Sequence, residues 1–435
     1  MDVGLALPQY DFSVPGESPL RWETLLGWAQ RAEALGFGSV WLSDHLFLDI
    51  SRYGAPPGDH GCFDAIVALA AIARRTTKVR LGTLTLCVPL RPATVLAKAL
   101  ATLDVVSGGR LTVGLGAGWY EPELAAAGLT LLPPGKRLAH LAEAVQAVRG
   151  MFGGGPFTFD GTYERADQAR CNPRPVQRPA PPIWVGGKGE RLVELAGRYA
   201  DGWNTAWIWA HEDWKQRAAL LDAACEAAGR DPASVTRSVG LYALAGENET
   251  DLARRYRRLQ ELSPAGVLDR TELSEWRKGR LVGTVDQVAE QVQEWESVGV
   301  SSLVVNAGAQ ADGEPAAGDD VQCGQCLGQH CGRAQRNTQG EGAEADVGGL
   351  AGDGRQGDDG VEAAVVAGRG AVAADVQEQV VRQPHRAETH GLGPLGPTKQ
   401  RRPAQRRLAR DREVVLGQSE SHVHRESLRG RCWSA

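Results

Sequence analysis

The chain has 435 residues, of which 42% are hydrophobic, and its formal net charge is −5. This composition supports a sizeable core and argues against a nucleic-acid partner, whose usual footprint is a basic surface. No run of about 18 apolar residues is present, and the start MDVGLALPQY lacks a signal-peptide pattern, so we expect a cytoplasmic protein without a membrane span. The cysteines before residue 310 are scattered, as expected for reduced thiols.

Short apolar runs alternate with amphipathic helical stretches over the first three hundred residues, which is typical of repeated βα units. Eight strands are predicted, at Val3–Leu7, Ser39–Leu42, Val79–Leu86, Arg110–Leu115, Ile183–Val185, Asp201–Asn204, Thr236–Leu244 and Ser301–Val305. Helices are predicted at Leu20–Leu35, Phe63–Arg75, Pro92–Val106, Arg137–Phe152, Glu190–Tyr199, Trp214–Ala228, Glu249–Leu262 and Val285–Val298. About eight such units predict an α/β fold of the (β/α)8 TIM-barrel type. A doubly wound sheet is disfavoured because no G-x-G-x-x-G turn follows the first strand.

The composition changes abruptly near Ala309, which places the barrel domain at residues 1–309. Residues 310–435 contain no isoleucine, phenylalanine, tyrosine or methionine. Such a segment cannot offset a chain entropy of about 1–2 kcal/mol per residue, so we predict a disordered low-complexity tail. A further hypothesis is that the tail is an out-of-frame extension, which resequencing of the gene tests. No metal is predicted, because the spacing around Cys323 and Cys326 does not suit a structural zinc site.

In a barrel the active site lies at the C-terminal ends of the strands, and Asp44 and His45 follow the second strand. Histidine titrates near neutral pH, which suits proton transfer. Asp44 is a candidate for holding the tautomer of His45, although neighbours on a strand point to opposite sides. The alternative is that His45 is a hydrogen-bonded structural histidine.

Two glycine-containing strand ends are candidate ligand sites. Gly186, Gly187 and Lys188 join the fifth strand to a helix, where backbone N–H groups and the helix N-terminus favour a phosphate. Gly116 and Gly118 end the fourth strand, where missing side chains allow a flat molecule to approach the backbone. The alternatives are a tight turn at the first site and tight packing in a narrow barrel mouth at the second.

Trp119 follows the fourth predicted strand, and Trp203 lies near the end of the sixth. Large aromatic side chains near the rim can form the wall of an apolar substrate pocket. The alternative for each tryptophan is that it covers the top of the barrel without touching a ligand.

Several motifs in this order resemble the luciferase-like flavin and deazaflavin oxidoreductases. The resemblance spans about Val3 to Gly308 and rests on Leu35–His45, Leu81–Thr83, Ala101–Asp104, Ser107–Arg110, Gly114–Trp119, Pro182–Gly187, Ala200–Asn204 and Val282–Thr284. It implies a barrel that binds FMN or coenzyme F420 at its C-terminal mouth, with His45 as the active-site histidine. It also implies a non-prolyl cis peptide at Leu84–Thr85 behind the ring system, and a cofactor phosphate near Gly186, Gly187, Lys188 and Arg191.

Two departures refine what the resemblance implies. Ala117 stands where bacterial luciferases carry an arginine, which favours F420 over FMN. Trp119 stands where F420-dependent glucose-6-phosphate dehydrogenases carry a glutamate, which argues against that substrate. The resemblance therefore implies hydride transfer between F420 and an unidentified organic substrate, and a homodimer, which is common in the family.

Three alternatives remain open. An FMN-dependent monooxygenase would use O2 and reduced flavin and would need a flavin reductase as partner. A non-catalytic barrel subunit would need neither cofactor. A phosphate-binding isomerase or aldolase barrel would need a lysine or paired carboxylates at the strand ends, and neither is evident.

Overall fold

The computed structural model describes residues 1–307, and their centre is a closed barrel of eight parallel strands. The strands are β1 (Asp2–Ala6), β2 (Ser39–Leu42), β3 (Arg80–Thr83), β4 (Leu111–Gly116), β5 (Ile183–Gly186), β6 (Gly202–Trp207), β7 (Thr236–Gly246) and β8 (Ser302–Asn306). Each strand pairs with the next along the chain, and the barrel closes where Asp2 of β1 lies opposite Ser302 of β8. The predicted (β/α)8 barrel is confirmed.

The helices of residues 1–307 are α1 (Trp22–Leu35), α2 (Ala65–Ala73), α3 (Ala93–Ser107), α4 (Glu121–Ala126), α5 (Pro134–Phe152), α6 (Glu190–Tyr199), α7 (His211–Ala227), α8 (Glu249–Leu262), α9 (Leu273–Trp276) and α10 (Val285–Ser297). Local signals set several ends. Gly36 ends α1 with a φ of +85°, a conformation that glycine adopts without steric cost. Thr284 and Gln287 form a capping box at the start of α10. No helix in this part of the chain is long and apolar enough to cross a bilayer.

The structure differs from the predicted elements mainly at short segments. The predicted strand Val79–Leu86 is interrupted after Thr83, and pairing with β4 resumes only at Leu86–Cys87. The helices α4 and α9 and a short strand beside β7, Leu281–Thr284, were not predicted. Each is too short to produce a periodic hydrophobic pattern. A separate two-stranded hairpin pairs Phe157–Asp160 with Arg165–Ala169.

Two tryptophans fill the middle of the barrel. The rings of Trp41 and Trp184 lie 5.0 Å apart and pack with Val304. Glycines on the neighbouring strands make room for them, because a Cβ at Gly82 would lie 2.1 Å from the ring of Trp41 and a Cβ at Gly202 would lie 2.5 Å from that of Trp184. The barrel interior is therefore a packed core, and any ligand site must lie at one of its ends.

At the end of the barrel where the strands begin, charged side chains bind backbone atoms and connect neighbouring segments. Asp104, fully buried on α3, accepts hydrogen bonds from the backbone N–H groups of Val176 and Gln177 at 2.8 and 3.1 Å. Arg110 donates to the backbone carbonyls of Ala73, Thr76, Val79 and Ser107 at 2.7–3.1 Å. These two residues belong to the Ala101–Asp104 and Ser107–Arg110 motifs, so those motifs stabilise connections between elements.

Some predictions fall outside the described residues. They are the domain boundary at residue 309, the disordered tail at 310–435, its hypothetical out-of-frame origin, and the residues around Cys323 and Cys326. All stay predictions. Within residues 1–307, no group of three or more His, Cys, Asp or Glu side chains is arranged to hold a metal ion.

Candidate functional site

His45 lies at the C-terminal mouth of the barrel, just after β2, and is held by a buried glutamate. Its Nδ1 is 3.0 and 3.1 Å from the two carboxylate oxygens of Glu123 on α4. The Glu123 side chain is only 1% exposed, and it also accepts a hydrogen bond from the backbone N–H of Leu46 at 3.0 Å. An ionised carboxylate only accepts, so Nδ1 carries a proton and Nε2 is left for proton exchange. Glu123 was missed from sequence because a lone glutamate in a short helix carries no motif signal.

Asp44 does not orient His45, and this part of the prediction is wrong. Its carboxylate is buried and pairs with the guanidinium of Arg91 at 2.6 and 3.1 Å. It also accepts a hydrogen bond from the backbone N–H of Cys87 at 2.9 Å. Successive side chains of an extended segment point in opposite directions, so His45 faces α4 while Asp44 ties β2 to the chain that follows β3.

Aromatic rings surround the histidine. The centroids of Trp119, Tyr10 and Tyr120 lie 5.7, 6.2 and 6.3 Å from that of His45. Burial raises the pKa of Tyr10 well above its ordinary value, so its hydroxyl stays neutral at physiological pH. Trp119 remains 39% exposed while its ring packs edge-to-face against that of His45. The substrate-pocket wall at Trp119 stays a prediction.

Trp203 does not line a pocket, and this prediction is wrong. Its side chain is fully buried and stacks on Trp214 of α7 with ring centroids 6.0 Å apart. Its indole Nε1 donates to the backbone carbonyl of Gly187 at 2.9 Å. A tryptophan at a strand end can point outward to the helices as readily as inward, and the sequence did not specify which.

The Leu84–Thr85 peptide bond is cis, which confirms the bond that the resemblance implied. The Thr85 side chain occupies the space that two predicted ligand-site glycines leave open. A Cβ at Gly116 would lie 2.2 Å from Thr85 Oγ1, and a Cβ at Gly186 would lie 2.5 Å from Thr85 Cγ2. These glycines therefore provide room for Thr85, which corrects the expectation that a ligand needs that room. Gly118 has a φ of +75°, which favours glycine there, and Ala117 beside it is half-buried.

Two polar groups of the loop between β5 and α6 already form hydrogen bonds within the protein. The N–H of Gly187 donates to the carbonyl of Asn204 at 2.9 Å, so this predicted phosphate donor is already used. The ammonium of Lys188 donates to the carbonyl of Ile208 at 2.8 Å and lies 4.6 Å from the ring centroid of Trp209. Burial lowers the pKa of Lys188 to about 8. Arg191, in the first turn of α6, is exposed.

Two loops, one after β2 and one between α8 and α9, meet each other. The segment after β2 places Arg52 over Trp119, with 4.7 Å between the guanidinium carbon and the ring centroid. The segment between α8 and α9 brings Gly266 against Gly54. Both glycines have positive φ, and a Cβ on Gly54 would lie 2.4 Å from the carbonyl oxygen of Gly266. This contact therefore requires glycine at both positions.

We expect Gly54→Ala to detach the two loops from each other without unfolding the barrel. The added Cβ clashes with backbone that cannot rotate away, and alanine disfavours the positive φ. Limited proteolysis should then cut between residues 48 and 60 much faster than in the parent protein. Gly16→Ala is the matched control, because Gly16 has a φ of +79° with no atom within 4 Å of its Cβ position. Equal cleavage of the two variants would contradict the proposed contact.

A second prediction concerns Glu123. Glu123→Gln should lower the free energy of unfolding by about 1–3 kcal/mol, because the amide has one acceptor oxygen for the two buried donors at His45 and Leu46. Urea denaturation followed by circular dichroism measures the change. Glu121→Gln, an exposed position on the same short helix, should leave stability within about 0.5 kcal/mol. Similar stabilities for both variants would contradict the assigned contacts.

An eight-stranded β/α barrel with a carboxylate-bound histidine among aromatic rings at its C-terminal mouth has the layout of a β/α-barrel enzyme. The chain belongs to the luciferase-like monooxygenase family, whose model matches residues 1–302.

The chain is similar to F420-dependent proteins in sequence. It is 36% identical over 231 residues to an F420-dependent hydroxymycolic acid dehydrogenase of Mycobacterium tuberculosis, a match that covers 53% of the chain and 61% of the relative. It is 33% identical over 180 residues to an F420-dependent glucose-6-phosphate dehydrogenase of Amycolatopsis mediterranei, covering 41% of the chain and 51% of the relative. The matches thus span between half and two thirds of the length of these relatives.

Solved structures share the fold. Monooxygenase RslO1 from Streptomyces bottropensis has a TM-score of 0.62 at 24% identity, covering 77% of the chain and 100% of that structure. An F420-dependent secondary alcohol dehydrogenase in complex with an F420–acetone adduct has a TM-score of 0.60 at 20% identity, covering 75% of the chain and 97% of that structure. At these identities the likeness concerns the fold alone.

Proposed function

We propose that the protein is an F420-dependent oxidoreductase that transfers a hydride between the deazaflavin and an organic substrate. The observation that carries the proposal is the His45–Glu123 pair after β2, together with the cis Leu84–Thr85 bond after β3. The F420-dependent relatives support the choice of cofactor. Ala117, in place of the arginine of bacterial luciferases, supports the same choice.

The residues at the mouth fit a flat, anionic cofactor. The cis bond and Thr85 form a firm floor, because Gly116 and Gly186 allow Thr85 to pack closely. The exposed Arg191 and the ammonium of Lys188 would lie near the anionic arm, at the N-terminus of α6, where the helix dipole favours negative charge. When bound, F420 supplies the donor or acceptor for the hydride.

His45 handles the proton that accompanies hydride transfer. Glu123 fixes the ring through Nδ1, which directs Nε2 toward the substrate oxygen. An alcohol hydroxyl would lose its proton to Nε2 as it is oxidised, and a carbonyl oxygen would gain one in the reverse direction. Trp119 and Tyr10 pack against the imidazole ring on this side. Trp119, in place of a glutamate, argues against glucose 6-phosphate as substrate, although some relatives use that sugar phosphate.

Equilibrium titration of the purified protein with F420 and with FMN tests the cofactor. We expect saturable quenching of F420 fluorescence and much weaker binding of FMN. Binding of FMN without binding of F420 would overturn the proposal in favour of a monooxygenase, which would also need a flavin reductase. Binding of neither would favour the non-catalytic barrel subunit. Light scattering of the same sample tests the proposed homodimer.

The pH dependence of cofactor binding tests Lys188. Its pKa is lowered to about 8 by burial, so the ammonium is mostly charged at pH 7 and mostly neutral at pH 9. We expect F420 affinity to fall by up to about tenfold over that range, since loss of the cation weakens attraction to the anionic arm. Lys188→Met should bind F420 weakly at both values of pH. A parent-like decline in Lys188→Met would show that another group is responsible.

A further inference from the structure

The end of the barrel opposite His45 contains a cavity with a volume of about 220 Å³. It lies among the first residues of five strands: Asp2, Ser39, Arg80, Thr236 and Ser302. The rings of Trp41 and Trp184 close it toward the barrel core, and Thr112 and Ser301 complete its wall. A cavity of this size has room for a ligand of a few non-hydrogen atoms.

The cavity has an anionic and a cationic side. Asp2 is largely removed from water, and burial raises the pKa of its carboxyl. Its carboxylate accepts from the Ser39 hydroxyl at 3.3 Å. The guanidinium of Arg80 donates through Nη2 to the Leu111 carbonyl, Thr112 Oγ1 and Gln177 Oε1 at 3.0–3.3 Å. Within residues 1–307, Nε and Nη1 of Arg80 have no hydrogen-bond acceptor. Asp2 and Arg80 attract each other without forming an ion pair within 4 Å.

A buried hydroxyl in the cavity wall lacks a partner. Ser302 is 2% exposed, and its Oγ has no hydrogen-bond partner among residues 1–307. Leaving such a group unpaired costs about as much as losing a hydrogen bond, so native proteins rarely do so unless a water or ligand satisfies it. The hydroxyl, carboxylate and guanidinium thus form a polar ring around one small space.

We propose that this cavity binds a short amino acid, with its carboxylate on Arg80 and its ammonium on Asp2. A simple anion would be repelled by Asp2, and a simple cation by Arg80, whereas a zwitterion pairs with both. The Ser302 hydroxyl supplies a further hydrogen bond, and the ring of Trp41 forms part of the wall. The site is separate from the mouth and does not depend on the proposed cofactor.

Isothermal titration of the full chain with L-serine tests the site, with lactate, ethanolamine and glycerol as probes that lack the ammonium, the carboxylate or both. We expect saturable binding of serine and at least about tenfold weaker binding of the other three, because each lacks a charge-assisted contact. Arg80→Gln and Asp2→Asn should each weaken serine binding by about tenfold or more. No saturable binding of serine, or equal binding of glycerol, would overturn the proposal.

Two further variants complete the test, one as a control outside the cavity and one that is expected to fold. Lys78→Gln removes an exposed cation at the same end of the barrel, outside the cavity, and should bind serine like the parent. If Arg80→Gln fails to fold, Ser302→Ala should still bind serine more weakly while the barrel stays intact. Parent-like binding by both Asp2→Asn and Ser302→Ala would contradict the assigned site.

Discussion

Turnover should fall by about 10² to 10⁴-fold when His45 is replaced by alanine, the usual contribution of a positioned general acid or base. F420 affinity should change much less, because the ring acts on the proton of the substrate. The measurement is deazaflavin absorbance during turnover of whichever alcohol or aldehyde a substrate panel identifies. Circular dichroism should check that the variant is folded, because the buried Glu123 carboxylate loses one of its two hydrogen-bond donors.

His140→Ala is the matched control for that loss. His140 on α5 pairs through Nε2 with the buried Glu164 at 2.8 Å, so it has the same kind of histidine–carboxylate contact away from β2. It should share any cost in stability while turnover remains within about twofold per folded molecule, as expected when no transition-state contact is lost. Unchanged turnover in His45→Ala would remove His45 from the mechanism and favour the non-catalytic barrel subunit.

Arg110→Met should lower the free energy of unfolding by about 3–4 kcal/mol, the largest stability change we expect from a single substitution. The guanidinium donates to four backbone carbonyls and to Thr76 Oγ1, which join the ends of α2 and α3 to the start of β3. Methionine keeps most of the aliphatic stem and removes every donor. Urea denaturation monitored by tryptophan fluorescence measures the loss.

Arg75→Met provides the comparison, because Arg75 is an exposed arginine next to the same junction. It should change stability by less than about 0.5 kcal/mol. If Arg110→Met were equally mild, the Ser107–Arg110 motif would have to be explained by something other than these contacts. This motif would then be shared with the family for a functional reason rather than for these structural contacts.

The sequence by itself determined the barrel, because alternating apolar runs and amphipathic helices recur eight times with local stop signals such as Gly36. It also placed His45 correctly, since strand ends converge at one face of any such barrel. Its motifs implied the cis bond at Leu84–Thr85, which the structure contains.

Only the tertiary structure decided which groups meet at the mouth. Glu123 lies 78 residues beyond His45 and reaches it through a helix too short to predict. Trp203 points to α7, Asp44 points to Arg91, and Gly116 makes room for Thr85. Spacing along a chain sets the periodicity of a strand, but which face meets which neighbour depends on register and packing between distant segments. The local pattern therefore located the candidate site, and long-range packing selected which groups meet there.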